Sequence, residues 1–352
     1  MKAILLAGGK GTRLRPLTLH TPKPIVPIFN RPFLAYQLDR VRQVPEISEV
    51  VLSLNYQPRR IEEIFGDGTP YGVRIRYAVE PSPLGTGGAI RFAAQHATDT
   101  VVVFNGDVLT AIDLAAVIRL HRERRAKATI VLTPVANPEA YGLVETSADG
   151  GVQRFLEKPN PNEITCNTIN AGIYVLEPET FDRIPADEPY SIERAYFPSL
   201  VERGDTFVAY IYEGYWIDIG TPEKYRQVHR DIMDGRFSAA PFDDTANGAA
   251  AWAAQAKVEA GAEIEGPCFL DEGTVVKAGA RIRPYTVLGR QCHVEGGAEI
   301  ADSIIWSSSW IGADATVTSA VAGRNCHIGR SVCVRPGTVL GDKSVATDFS
   351  QL

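Results

Sequence analysis

From Met1 to about Gly235, short β-branched runs alternate with longer stretches in which apolar residues recur at helical spacing, the pattern of a layered α/β domain. The runs predict strands at Lys2 to Leu6, Val50 to Leu54, Val73 to Val79, Thr100 to Phe104, Ala128 to Pro134, Val152 to Leu156 and Ile169 to Leu176. Helices are predicted between them at Phe33 to Gln43, Gly88 to His96, Leu114 to Arg125, Ile192 to Arg203 and Pro222 to Met233. From Arg236 to Ala251 the chain is rich in Ala, Asp and Gly and loses apolar periodicity, which marks a linker and a domain boundary.

Beyond the linker the period becomes six. Val258, Ile264, Leu270, Val276, Ile282, Leu288, Val294 and Ile300 follow at an unbroken spacing of six. The register slips by one residue to Ile305, Ile311 and Val317, slips again, and resumes at Ala322, Ile328, Val334 and Leu340. A strand this short cannot bury its apolar side chain alone, so such hexads have to stack, coil upon coil, around one continuous core. The pattern resembles the left-handed hexapeptide-repeat helices, and at three hexads per coil the segment Val258 to Val345 makes about five coils. The expected architecture is α/β: a three-layer Rossmann-like domain with a mixed, mostly parallel sheet over residues 1–235, a linker over 236–251, and a left-handed parallel β-helix over 252–352.

Composition agrees with two domains, because 352 residues exceed the roughly 250 to 300 at which a single core stops growing. Lysine plus arginine number 36 against 42 aspartates plus glutamates, a net charge of -6. No global positive field is available for a nucleic-acid backbone, so a phosphate ligand has to be met by a few local cations. Cys166, Cys268, Cys292, Cys326 and Cys333 are odd in number and never form a C-x-x-C pair, which fits neither a disulfide framework nor a cysteine-rich zinc site. The apolar run Ala3 to Ala7 is too short for a signal-peptide core, and no stretch of about 20 apolar residues occurs. A cytoplasmic protein with neither membrane nor nucleic-acid partners is expected.

The first strand-to-helix junction carries the first chemical signal, Ala7-Gly8-Gly9-Lys10-Gly11-Thr12-Arg13-Leu14. Its glycines free the backbone to approach a ligand, and exposed N–H groups there can bind an anion. A Walker A loop would need Gly-x-x-x-x-Gly-Lys-Ser/Thr, and the dinucleotide fingerprint would need a third glycine where Leu14 stands. Neither is present. The stretch instead gathers Arg13, Arg15 and Lys23, which suits a triphosphate whose charge is spread over several oxygens. Asp107 follows the strand-like run Val101 to Phe104, at the carboxyl end where open α/β sheets place ligands.

Gly8 to Thr18, then Thr21-Pro22-Lys23-Pro24-Ile25-Val26-Pro27-Ile28 and Asn30-Arg31-Pro32, resembles the signature of the sugar-1-phosphate nucleotidyltransferases. The resemblance continues in order at Pro83-Leu84-Gly85-Thr86-Gly87-Gly88-Ala89, Asn105-Gly106-Asp107, Phe155-Leu156-Glu157-Lys158-Pro159, Ile169-Asn170-Ala171-Gly172 and Trp216-Ile217-Asp218-Ile219-Gly220-Thr221-Pro222. Within that family the chain is most similar to the mannose-1-phosphate guanylyltransferases. The resemblance implies that a sugar-1-phosphate oxygen attacks the α-phosphorus of a nucleoside triphosphate and pyrophosphate leaves, assisted by Mg²⁺ on Asp107 and Asp218. It implies catalytic roles for Arg13, Lys23, Asp107, Lys158 and Asp218, with Arg13 and Lys23 on the triphosphate and Lys158 on the sugar phosphate. Nucleotide contacts are implied for Leu6, Ala7, Gly8, Gly9, Gly11, Thr12, Leu84, Gly85, Thr86, Asn105 and Gly106. Glu157, Asn170 and the turn around Gly142 are implied for the sugar.

GTP with mannose 1-phosphate is the expected pair. Other pairs, namely UTP, dTTP or ATP with glucose 1-phosphate or GTP with a heptose 1-phosphate, stay open, because base choice rests on a few loop contacts. A non-catalytic nucleotide-sugar-binding subunit is the rival of another class, and the intact Arg13, Lys23, Asp107, Lys158 and Asp218 argue against it. Trp306 and Trp310 are read as core or oligomer-contact residues, since no basic cluster accompanies them. His293 and His327 raise the thought of a β-helix acyltransferase, but neither lies in a long loop inserted between coils. The β-helix is expected to build a homo-oligomer.

Overall fold

A computed structural model describes residues 1–243, 251–252 and 255–352. The rest of the expected linker and the first residues of the expected β-helix lie outside the described residues. By packing, the chain divides into two compact units, Met1–Gly9 with Leu34–Trp216, and Lys10–Phe33 with Ile217–Leu352.

The first unit is built on a nine-stranded sheet. In chain order its elements are β1 (Lys2–Leu6), α1 (Phe33–Val41), β2 (Glu49–Leu54), α2 (Pro58–Phe65), β3 (Ile75–Val79), α3 (Gly85–Ala93), β4 (Val101–Asn105), α4 (Leu114–Glu123), β5 (Ala128–Pro134), β6 (Gly142–Thr146), β7 (Val152–Glu157), β8 (Thr168–Leu176), α5 (Phe197–Glu202) and β9 (Phe207–Ile211). The four strands β3, β2, β1 and β4 lie side by side in that order and are parallel. Antiparallel β8 extends the sheet beyond β4, and β5 pairs β8. The β6–β7 hairpin joins through β8, and β9 runs parallel to β5. Val51, Ile4, Val103, Tyr174, Ile130 and Ala209 form one transverse row through six strands by register. All six are buried in a cluster with Ile90 and Ala93 of α3 and with Tyr196, Phe197 and Leu200 around α5. β2 is buried at every position instead of alternating, as in a strand covered on both faces of its sheet.

In the second unit the hexads become three parallel sheets. Val276, Val294, Ile311 and Ile328 stack in register in the first, Ile264, Ile282, Ile300, Val317 and Val334 in the second, and Leu270, Leu288, Ile305, Ala322 and Leu340 in the third. Most of these residues are buried in one continuous core, as a coil of hexads requires. Each slip in the sequence pattern is a corner one residue shorter, and the stack keeps its register through it. The first shortened corner carries Asp302, which pairs with Arg226 at 2.8 Å and Arg230 at 2.6 Å on α6 (Pro222–Met233). Trp306 is buried and donates its indole N–H to the Tyr225 hydroxyl of α6 at 3.0 Å. Trp310 is 39% exposed and stacks on His293 with ring centroids 4.0 Å apart.

His229 of α6 lies fully buried between Phe29 and Tyr225. Its Nε2 accepts the Phe29 N–H at 3.4 Å, so the proton sits on Nδ1, which donates to the Tyr225 carbonyl at 2.9 Å. Burial pushes this imidazole down from 6.5 to about 4. The unfolded chain binds the extra proton between those values, so the stability is fully present above pH 6.5 and is lost as pH falls toward 4. Denaturant titration should give a stability about 2 kcal/mol lower at pH 5 than at pH 7 from this group. The same difference should shrink in His229→Gln.

Candidate active site

Brought side by side and parallel, β1 and β4 connect onward in opposite directions across the sheet, β1 to β2 and β3, β4 toward β8. Such a switch point opens a crevice at the carboxyl ends of the two strands. Both sequence signals exit there: Ala7-Gly8-Gly9 after β1 and Gly106-Asp107 after β4, with Leu6 registered on Asn105. Gly106 has no room for a side chain, since a Cβ would stand 2.1 Å from the Leu6 carbonyl oxygen. The buried Gln37 of α1 donates its amide to the carbonyls of Asn105 and Val108, at 2.8 Å each, and so fixes the turn that presents Asp107 from both sides. Among the described residues the buried Asn105 Oδ1 meets no hydrogen-bond donor, an acceptor left open beside the crevice.

The predicted nucleoside loop sits at the start of α3. Leu84 accepts the Tyr190 N–H at 2.8 Å, and Gly87 donates to the Tyr190 carbonyl at the same distance, so the loop is closed by a segment about a hundred residues further on. Thr86 accepts from the Ile192 N–H at 2.9 Å and donates to Glu193 Oε2 at 2.7 Å. Beneath it, the buried Glu80 accepts from the Leu84 N–H and the Ser53 hydroxyl, both at 3.0 Å. Glu80 and Glu193 were not singled out from the sequence. A carboxylate that acts by accepting from a backbone N–H four residues on, or a hydroxyl far along the chain, leaves no spacing signal.

The predicted sugar residues converge at one end of three neighbouring strands. Gly142 opens β6 in register with Glu157, which ends β7, and Leu143 is registered on Ile169, next to Asn170 at the start of β8. Asn170 is fixed at both ends of its amide, donating to the Tyr174 hydroxyl and accepting the Gly172 N–H, each at 2.9 Å. Burial, then the nearby Glu193 carboxylate, raises the Glu157 carboxyl above its usual range, while Lys158 and Arg194 pull it back. Lys158 itself is exposed, its backbone held left-handed (φ 54°) with its N–H on the Tyr141 carbonyl at 3.2 Å.

Arg13, Lys23 and Asp218 belong to the second unit, with Gly11 and Thr12. Gly11 adopts a left-handed conformation (φ 59°) before the short Thr12–Leu14 turn, and its carbonyl accepts the Leu14 N–H at 3.0 Å and the Thr18 hydroxyl at 2.7 Å. A side chain on Gly11 would meet Lys23 Cβ at 3.2 Å, so the loop folds back tightly on Lys23, which is 9% exposed. The Arg13 guanidinium lies against Gly220, where a Cβ would come within 2.8 Å of it, two residues from Asp218. Asp218 is buried and ion-paired with Lys224 in the first turn of α6, a partner the sequence did not announce. Among the described residues no group of three or more His, Cys, Asp or Glu side chains gathers as a metal cage. The metal ligands that the sequence resemblance implies, Asp107 and Asp218, are carboxylates, the ligand type a hard divalent cation takes.

Comparison with known proteins identifies the class. The Nucleotidyl transferase family model matches residues 2–235, and the GMPPB C-terminal domain model matches residues 264–349. The chain belongs to the nucleotidyltransferase family. It is 41% identical over 288 residues to the mannose-1-phosphate guanylyltransferase of Mycobacterium tuberculosis, covering 81% of this chain and 77% of that protein. It is 33% identical over 343 residues to the UTP–glucose-1-phosphate uridylyltransferase of Synechocystis sp., covering 93% and 88%. Among solved structures, HddC from Yersinia pseudotuberculosis complexed with GMP-PN is 29% identical with a TM-score of 0.56, covering 66% of this chain and 99% of that one.

Proposed function

We propose that the chain transfers a guanylyl group from GTP to mannose 1-phosphate, giving GDP-mannose and pyrophosphate. A sugar-phosphate oxygen forms a bond to the α-phosphorus as the bond to the departing pyrophosphate breaks in line. Two anions have to be brought together, so charge neutralisation and positioning supply most of the acceleration. Arg13 and Lys23 hold the triphosphate, Lys158 the sugar phosphate, and Glu157 and Asn170 the sugar hydroxyls. The observation that carries the choice of reactants is the similarity, over most of the chain, to a mannose-1-phosphate guanylyltransferase. Asp107 and Asp218 offer oxygen ligands that fit Mg²⁺. When bound, that ion would neutralise charge between the phosphates.

The similarity to a uridylyltransferase keeps UTP with glucose 1-phosphate as the second reading. Pyrophosphate release, screened over five nucleoside triphosphates and the 1-phosphates of mannose, glucose, galactose, N-acetylglucosamine and a heptose, separates them. The largest kcat/KM is expected for GTP with mannose 1-phosphate, and a preference for UTP with glucose 1-phosphate would replace it. We also propose a cytoplasmic enzyme that assembles through the β-helix; among the described residues no helix is long and apolar enough to cross a membrane.

Lys158 gives a separable test of the sugar-phosphate side. A charge-assisted hydrogen bond contributes about 1.5–3 kcal/mol, so Lys158→Ala should raise KM for the sugar 1-phosphate by roughly 10- to 100-fold. KM for the triphosphate should stay within about twofold. Steady-state kinetics with each substrate varied in turn would read both.

A further inference from the structure

One edge of the β-helix holds the 10–33 loop at several points. Residues that directly follow the third-sheet strands, Asp271, Trp306 and Gly341, stack along that edge because Leu270, Leu288, Ile305, Ala322 and Leu340 are in register, and Arg324 stands two places after Ala322. Asn30 donates its amide to Asp271. Arg324 Nη1 donates to the Thr21 hydroxyl at 2.6 Å while its guanidinium lies 4.8 Å above the Trp306 ring. Gly341 lets Pro16 come so close that a Cβ there would stand 3.1 Å from Pro16 Cβ.

From these contacts we infer that Arg324 is a positioning residue for the triphosphate, acting through Thr21 on Lys23. The inference rests on the proposed role of Lys23. Between the anchored Thr21, 1% exposed, and Lys23 stands only Pro22, with Pro24 just beyond. Proline fixes φ, so this stretch has little backbone freedom to absorb a shift at Thr21 before it reaches Lys23. Arg324 is itself held in place: its backbone N–H donates to Asp342 Oδ1 of the following coil at 2.8 Å, and its planar guanidinium lies over the Trp306 face. The side chain thus links a rigid stack to the loop that carries the cation. No backbone bond of the described residues duplicates it at Thr21, whose hydroxyl is the acceptor.

The test is a double-mutant cycle on the full chain, with kinetics for both substrates. Arg324→Ala and Thr21→Val should each raise KM for the triphosphate by about 5- to 10-fold and leave KM for the sugar 1-phosphate within twofold. The double variant should be no worse than the single ones, because one interaction is removed once. Arg324→Lys should recover part of the loss by keeping a donor in reach of Thr21. Multiplying effects in the double variant, equal rises in both KM values, or unchanged kinetics would each overturn the inference. Lys23→Ala is run beside them: if it leaves KM for the triphosphate unchanged, the assignment of Lys23 fails instead. Thr21→Val keeps shape and volume, so it reports even where Arg324→Ala lowers the yield of folded protein.

Discussion

Asp107→Ala is expected to lower turnover by about 10²- to 10³-fold, the usual cost of removing one preorganised charge-stabilising group, with little change in thermal stability. Asp107 is half-buried at the carboxyl end of β4, just beyond the residue registered on Leu6. Its turn is fixed by Gln37 through the carbonyls on both sides, and neither bond involves the Asp107 side chain. Truncating the carboxylate leaves both of those bonds in place. Asp113 provides the contrast within six residues: its carboxylate caps α4 by accepting the Ala116 N–H at 3.2 Å. Asp113→Ala should cost about 1 kcal/mol of stability and leave turnover alone. Pyrophosphate release and melting temperature measured on both variants decide the matter. Near-normal turnover in Asp107→Ala would remove Asp107 from the catalytic set.

What could be read from the chain depended on whether the signal was local. The strands at Lys2–Leu6 and Ala128–Pro134 stood out because continuous apolar runs need burial on both faces. The β-helix stood out because a period of six has few other physical causes. Phe207–Ile211 was not predicted: five apolar residues in a row shortly after a predicted helix give no period by which to tell strand from helix. Gly142–Thr146 carries no strand signal either, since it opens on a glycine and its core-facing residues number too few to alternate visibly. The short helix Pro58–Phe65 went unpredicted as well. Of the candidate site, the residues of contiguous motifs were legible. Their partners were not: Gln37 and Glu193 act across tens of residues or more, and Glu80 and Lys224 across four and six, on neighbours that no motif links to them. The grouping of residues 10–33 with the β-helix was the least legible feature, because it is made by contacts such as Thr21 with Arg324, 303 residues apart.

Gly106→Ala should produce the larger combined effect, losing stability and turnover together. The added Cβ would stand 2.1 Å from the Leu6 oxygen, 2.9 Å from the Leu6 carbonyl carbon and 3.2 Å from Ala7 Cα. These are backbone atoms, so no rotamer change relieves the overlap. β1 cannot retreat, because it is paired along its length with β2 on one side and β4 on the other. Relief has to come from parting β1 and β4 at their carboxyl ends, the place where the glycine loop and Asp107 emerge. Overpacking ordinarily costs 1–3 kcal/mol, and with backbone against backbone about 3 kcal/mol is expected here. Turnover should fall at least as far as in Asp107→Ala, since both sides of the crevice move. Gly9 separates the two causes: a Cβ there would meet nothing within 4 Å. Gly9→Ala should therefore keep the wild-type melting temperature, and if the nucleotide approaches this backbone as proposed, KM for the triphosphate should rise about tenfold. Equal melting temperatures for Gly106→Ala and the parent would mean that the two strand ends separate without cost, and that the crevice is not a rigid support for the glycine loop and Asp107.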